Sequence, residues 1–266
     1  MATKQEVATQ ESAGLPAVED EFLADIGGGM ENVTSADLLI PRLTIIQKMS
    51  PQIDKHKPEY IKGAEEGDIC DVGLGQLWKE DDLPLSFLPV YYRKDFLEWA
   101  PRAQGGGLVA IHATMPQDVQ PNPEKPMQMM RKGNLVAETL QFYGLNLTAD
   151  GRPTFIPMTS TQLKKGRGWL TLAQNTFILD RQNRKRVAPL YYHVYHLSVV
   201  REQNPEGSWM GWKVTQGPKV TELEDWKALV EKAKEFRQGI IDGERQAAFG
   251  EGEAPASPVN SDNEPM

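Results

Sequence analysis

Cysteine is almost absent from this chain. Cys70 is the only one in 266 residues, which excludes an internal disulfide and fits a reducing compartment. In the run GDICDV it reads as a small buried residue. Histidine is scarce too, with four copies. His193 and His196 stand i, i+3 on a strand candidate and point to opposite faces, a poor chelate for a metal ion. His112 lies on an apolar strand candidate and reads as a packed or edge residue. No apolar run approaches the roughly 20 residues that span a bilayer. The opening MATKQEVATQESAG lacks the apolar core of a signal peptide. The usual catalytic signatures are missing as well. Gly105-Gly106-Gly107 is not followed by Lys-Ser/Thr, GxGxxG is absent in any useful context, and no nucleophile elbow is recognisable. Glu80-Asp81-Asp82 falls in a turn between strands and reads as a solvated loop. These absences point away from an enzyme, and no metal or organic cofactor is expected.

What the chain does have is positive charge in one place. Its net charge is −8, with 29 Lys/Arg against 37 Asp/Glu. Residues 1–37 carry −7, 38–130 carry −3, 131–220 carry +8 and 221–266 carry −6. A basic middle between acidic ends suggests a nucleic-acid face with acidic tails. The excess peaks between Arg152 and Arg201, where nine Lys/Arg face a single acid, Asp180. Six aromatics are interleaved there: Phe155, Trp169, Phe177, Tyr191, Tyr192 and Tyr195. Cations neutralise phosphates and rings stack on unpaired bases, so this mixture suits a single-stranded nucleic acid.

Along the chain, residues 1–36 are polar and acidic and read as a disordered tail. Order is expected from Asp37, with a first strand in LLIPRLTIIQ, and a short strand at Ile69–Val72. LPLSFLPVYYRKDFLEW is the longest strand candidate, and GLVAIHA follows it. Pro116–Pro126, with four prolines, reads as an extended loop. Ala149-Asp150-Gly151 between two apolar runs marks a hairpin, and Gly144 suggests a bulge where the alternation shifts. STQLKKGRGWLTLAQ admits two readings. Ser160 can cap a helix with Leu163, Arg167 and Leu170 on one face, but Gly166 and Gly168 also suit a hairpin turn; the helix is slightly preferred. LYYHVYHLSVV and SWMGWKV read as strands around a turn at Asn204–Gly207. TELEDWKALVEKAKEFRQGIID is a helix, 221–243, with a capping box at Thr221 and Glu224. Residues 244–266 read as a flexible acidic tail.

Many short strands with few helices predict a mainly β (α+β) fold: an OB-fold-like antiparallel barrel with embellishments over 37–243. The candidate DNA-binding residues fall in three groups. Lys164, Lys165 and Arg167 lie beside Trp169. Arg181, Arg184, Lys185 and Arg186 form a basic loop before Tyr191 and Tyr192, which start the next strand with opposite facing. Arg93, Trp99 and Arg102 repeat the mixture further back. Trp169 and one of the two tyrosines are the expected stacking rings, and a stacked Trp predicts fluorescence quenching by oligo-dT.

Several ordered blocks carry a resemblance: IPRLTIIQKMSPQ, YIKGAEEGDI, VYYRKDFLEWAPR with GGGLVAIH, TSTQLKKGRGW, and YYHVYHLSVV followed by SWMGWKV. Over about residues 38–220 the chain resembles a family of tailed-bacteriophage early proteins usually described as single-stranded-DNA-binding. The resemblance implies an OB-like core and a non-enzymatic role in coating single-stranded DNA during phage replication and recombination, in the host cytoplasm. The acidic end is similar to the tips of single-strand binders, which would recruit replication or recombination proteins. It departs from them in closing on SDNEPM, with Met266 in place of a terminal Phe. A homo-oligomer is compatible with the sequence, and a membrane partner is not expected. The alternative function is a phage structural or assembly protein with a basic interaction face.

Overall fold

In the computed structural model, residues 28–34, 37–104, 106–205, 207–244 and 246–247 are described. The expected tails, 1–36 and 244–266, lie almost wholly outside them. The elements, in chain order, are β1 (Leu39–Ile40), β2 (Leu43–Ile45), β3 (Ile69–Asp71), β4 (Gln76–Trp78), β5 (Leu85–Trp99), β6 (Leu108–His112), β7 (Gln120–Pro121), β8 (Met129–Arg131), β9 (Asn134–Asn146), β10 (Arg152–Thr159), α1 (Leu163–Gln174), β11 (Phe177–Leu179), β12 (Lys185–Val187), β13 (His193–Asn204), β14 (Gly207–Lys219), α2 (Trp226–Ile241) and β15 (Gln246–Ala247).

The longest strand candidate is indeed the longest strand, the 15-residue β5, and it organises the sheet. Eight strands run in the order β14-β13-β5-β9-β8-β7, with β10 on β9 and β6 on β5. All of these pairings are antiparallel. The sheet curls into a half-barrel of OB-like character. A three-stranded sheet, β2-β3-β4, covers part of its inner face. The chain closes on itself where β15 pairs parallel with β1.

Along β5 and β9 both faces of this sheet are buried, so apolar residues stand at both odd and even positions of these two strands. Leu140 and Phe142 of β9 enter one core with Leu85, Phe87, Ile156, Met158 and Trp169. Tyr143 and Leu145 enter the other with Leu88, Val90, Phe155 and Phe236 of α2. The change from even to odd positions along β9 is therefore a change of core, and the bulge expected at Gly144 is not there. The register irregularity lies opposite it, in β5 between Pro89 and Tyr91. Gly144 is small for another reason: a Cβ there would fall 2.4 Å from the Phe87 ring and 2.5 Å from the Leu88 carbonyl oxygen.

The helix reading of 160–174 holds, with a different start. Ser160 is not the cap. It sits at φ 52° in a short 3-10 turn, and α1 begins after Gln162 without a side-chain cap. Gly166 lets α1 lie flush on the sheet, since a Cβ would meet Leu140 at 2.8 Å. The C-terminal helix likewise starts a turn late. Thr221 belongs to a 3-10 turn, Val220–Glu222, and α2 begins at Trp226 with no side-chain cap at Asp225, so the expected capping box does not form. Ala233, Phe236 and Ile240 are buried as the periodicity requires.

One buried carboxylate ties the far end of the sheet together. Glu98 on β5 is 2% exposed. Its Oε2 accepts from His112 Nε2 of β6 at 2.8 Å and from Arg131 Nη1 of β8 at 2.9 Å, and its Oε1 accepts from Asn134 Nδ2 of β9 at 2.7 Å. Arg131 Nε donates in turn to Asp118 at 2.7 Å. Burial alone would raise the Glu98 pKa, but the donors from Asn134, His112 and Arg131 outweigh it and hold it at about 2, against an ordinary 4.5. A carboxylate depressed in the folded state stabilises above its unfolded pKa and loses that stability as pH falls through the folded value. Glu98 thus contributes up to about 3 kcal/mol at neutral pH, lost between about pH 4.5 and 2. Glu98→Gln should lower neutral-pH stability and flatten the acid limb in that window, as urea titrations at several pH values would show. An unchanged acid limb would remove Glu98 from this role.

Candidate nucleic-acid interface

The basic loop of the sequence is the tip of a β-hairpin. After α1, Ala188 N donates to Thr176 O at 2.8 Å and closes the base of the arm. Above it Phe177 pairs with Val187, Ile178 with Arg186 and Leu179 with Lys185. The reversal at the tip is made by Asn183 in the left-handed region, φ 61°. Asp180 holds that tip with a clear division of labour. Its Oδ1 accepts the Gln182 and Arg184 backbone N–H groups at 2.9 and 3.0 Å. Its Oδ2 accepts Arg184 Nε at 2.8 Å and Arg186 Nε at 3.2 Å. Backbone and side-chain donors together push the Asp180 pKa down, the Arg184 backbone N–H most strongly.

The arm is open to solvent. Arg181, Arg184, Lys185 and Arg186 are all exposed. So are three apolar side chains: Phe177 at 43%, Leu179 at 66% and Val187 at 49%. Register partners share a face, so Phe177, Val187, Leu179 and Lys185 line one side of the ribbon and Ile178 and Arg186 the other. Lys185 Nζ lies 3.8 Å from the Phe177 ring centroid, a cation–π contact. A ring with an accessible face, flanked by four cations and one acid, can stack on a base while its neighbours meet phosphates.

The other candidate residues are placed differently. Lys164 is exposed at the first turn of α1. Lys165 is paired with Glu202 at 2.6 Å, and Arg167 Nη2 reaches both oxygens of Glu138 at 3.0 Å. Burial raises the Glu202 pKa, but hydrogen bonds from Lys165 and Trp209 bring it below the ordinary value. This cluster lies on the first two turns of α1, a 12-residue helix about 18 Å long, and the hairpin follows its opposite end. The basic stretch therefore folds into two separated clusters, of which only the second is free of carboxylates from other elements among the described residues.

Several expected DNA-binding residues are placed in the core or engaged within the protein. Trp169 is 2% exposed and stacks on Phe142, centroids 4.1 Å apart and planes within 9°. It also meets Phe87 and Tyr195 at 5.9 and 5.3 Å, so it is a core ring with no face for a base. Its position on α1, one turn after Gly166, aims it into the sheet. Trp99 is 3% exposed and equally unavailable. Arg93 keeps a partly exposed side chain but is engaged within the protein, its Nε donating to the buried Asp95 and its guanidinium 5.8 Å from the Tyr143 ring. Asp95 also accepts from Gln141 Nε2 at 2.7 Å, which fixes this network inside the protein. Tyr191 and Tyr192 do not begin a strand. They lie in a 3-10 turn, Leu190–Tyr192, and both are half-buried. Tyr191 packs against the α2 side of the core, and Tyr192 meets the His193 ring edge-on. The Arg102 side chain lies outside the described residues.

Phe177 is the ring that the sequence argument did not single out. Its signal was a three-residue apolar run, FIL, before the polar turn DRQN, which reads equally well as the edge of a core. Four of the six tryptophans, Trp78, Trp99, Trp169 and Trp212, are buried, so tryptophan emission is a poor reporter of this surface.

A concavity of about 640 Å³ lies between the start of α2 and the sheet and is lined in part by Ser86, His196, Asp225 and Lys232. Among the described residues, no group of three or more His, Cys, Asp or Glu side chains is placed to hold a metal ion. No helix among them is long and apolar enough to cross a membrane.

Comparison with curated proteins and with solved structures gave no match. A family model does match: the model of the Pam3 phage gp34-like protein covers residues 8–246, nearly all of the sequence. The chain is thus a member of the Pam3 phage gp34-like protein family.

Proposed function

We propose that this phage-family protein binds single-stranded DNA without sequence preference, and coats it during phage DNA replication and recombination in the host cytoplasm. The observation that carries the reading is the β11–β12 arm. It concentrates Arg181, Arg184, Lys185 and Arg186 around an exposed Phe177 in a protein whose net charge is −8. Cations meeting phosphates and a ring meeting a base face carry no sequence information, so binding through this arm is indifferent to sequence. A duplex keeps its bases stacked on each other and leaves the ring nothing to insert beside. Single strands are therefore bound more tightly than duplex. The protein acts as a binder with no chemical step, and its acidic C-terminal segment serves replication or recombination proteins.

The direct test is fluorescence anisotropy of labelled oligo-dT, beside a duplex of equal length, at two salt concentrations. Single-strand affinity should exceed duplex affinity and fall linearly in log salt. Equal affinities, or no binding at low salt, would sink the reading. Phe177→Ala should weaken oligo-dT binding by about 1–3 kcal/mol, roughly 5- to 150-fold, with the salt slope unchanged, because a stacked base is lost and no phosphate contact is. Should the protein be recovered in purified virions and fail these titrations, the structural or assembly role takes the place of this one.

A further inference from the structure

Two guanidinium groups converging on one oxygen atom is a geometry with a use. Arg184 Nε and Arg186 Nε both donate to Asp180 Oδ2, at 2.8 and 3.2 Å. The two arginines come from the hairpin turn and from β12, and both side chains are more than half exposed. Nothing in the packing of the arm demands that they meet. The turn itself is held by the other carboxylate oxygen, Oδ1, through the Gln182 and Arg184 backbone N–H groups. Oδ2 is thus free of any role in backbone order, and its partners are two exposed cations.

We infer that Arg184 and Arg186 form a preorganised fork for one backbone phosphate, and that Asp180 Oδ2 occupies it in the free protein as an internal competitor. This rests on the nucleic-acid reading of the arm and adds to it a regulatory residue. A phosphate oxygen presents the same acceptor chemistry as a carboxylate oxygen, and guanidinium groups bind either through charge-assisted hydrogen bonds. The carboxylate is half-buried but both arginines are exposed, and a surface pair of this kind is held weakly, so a phosphate of a polyanion can displace it. The exchange keeps the arginines in place before the ligand arrives, which saves the cost of ordering two long side chains at the moment of binding. It also lowers affinity, since the incoming phosphate must replace an anion already there. Asp180 is the only acid of the arm, and it stands where it pairs with two of the four arm cations and offsets one unit of their charge in the resting state.

The division of labour within Asp180 supplies a clean variant. In Asp180→Asn the amide oxygen can keep the Oδ1 role towards the backbone, while the NH2 group replaces Oδ2 and releases the Nε groups of both arginines, Arg184 keeping its Nη2 contact with Gln182 Oε1. D180N should bind labelled oligo-dT about tenfold more tightly than wild type at low salt, with a salt slope steeper by about 0.7 to 1.4, one or two phosphate equivalents. The gain should vanish when the same substitution is made in an R184Q/R186Q protein. A gain that persists there is a long-range charge effect and overturns the fork. Wild-type binding with no gain in D180N overturns the inference alone, whereas absence of binding by both proteins overturns the parent reading and the fork together. Arginine Nε–H signals of the wild type give a measurement independent of folding in the variants. Those of Arg184 and Arg186 should shift together on addition of oligo-dT, and signals that stay fixed while others move would also overturn it.

Discussion

Exchanging Arg181, Arg184, Lys185 and Arg186 together for glutamine reduces the salt slope of oligo-dT binding by about 2, with a parallel loss of affinity at low salt. Each phosphate neutralised on a single strand contributes about 0.7 to that slope, so four contacts set a ceiling near 2.8. Asp180 holds the slope below that ceiling by offsetting one of the cations. Stability should change by less than about 1 kcal/mol, because the four side chains are exposed and their ion pairs are surface pairs. The matching control is Lys164→Gln with Lys165→Gln and Arg167→Gln. Lys165 and Arg167 are already paired with Glu202 and Glu138, carboxylates of other elements, so this triple variant should lower the slope by no more than about 0.7, the share of Lys164. If the two variants lose affinity equally, the hairpin has no privileged place and the interface must be redrawn to include α1.

Trp169→Ala is the substitution with the largest expected effect on stability, about 3–5 kcal/mol in a urea titration. The indole is 2% exposed and is surrounded by Phe142, Phe87 and Tyr195, with the Phe142 contact a close parallel stack. Its removal takes away a large apolar area and leaves a cavity between α1 and the sheet that the neighbouring rings are too rigid to fill. The indole Nε1 has no hydrogen-bond partner among the described residues, so no hydrogen bond is lost with it, and relief of the unpaired N–H draws the figure towards the lower end of the range. What remains folded should bind oligo-dT as the wild type does, and wild-type binding should leave the Trp169 emission unquenched. A loss below about 1 kcal/mol, or a folded variant with impaired binding, would return Trp169 to the interface. The two predictions therefore separate the arm, which acts on ligand, from the ring, which acts on the fold.

The contrast between Trp169 and Phe177 shows where sequence reasoning ends for this chain. Both are aromatic, both are flanked by cations, and both lie in the stretch from Arg152 to Arg201. Spacing along the chain cannot tell them apart. Gly166 turns one face of α1 into a flat seat on Leu140 and Phe142, and that seat decides that Trp169 points inward. Phe177 is the third residue after the helix, on a two-stranded ribbon with no third strand over it among the described residues, and is left exposed. The same holds for charge. Lys165, Arg167, Arg184 and Arg186 count alike in a block sum, yet the first two answer acids brought from Glu202 and Glu138 by long-range folding, and the last two answer an acid within the turn.

Some properties were determined by the sequence alone, because they depend on local pattern or on sums. The antiparallel β character follows from short β-branched and aromatic runs between turn residues, β5 from its long apolar stretch, and the hairpin at Asp150–Gly151 from its turn chemistry. The single cysteine and the basic middle block are likewise facts of composition. Tertiary structure decided the rest: that both faces of the sheet are buried along β5 and β9, that the phase change lies in β5 instead of at Gly144, that the basic stretch divides into two clusters, and that Phe177 takes the exposed place first given to Trp169. The reason is that burial and ion pairing are properties of neighbours distant in the chain, and a local periodicity fixes which face a side chain occupies without saying what, if anything, covers that face.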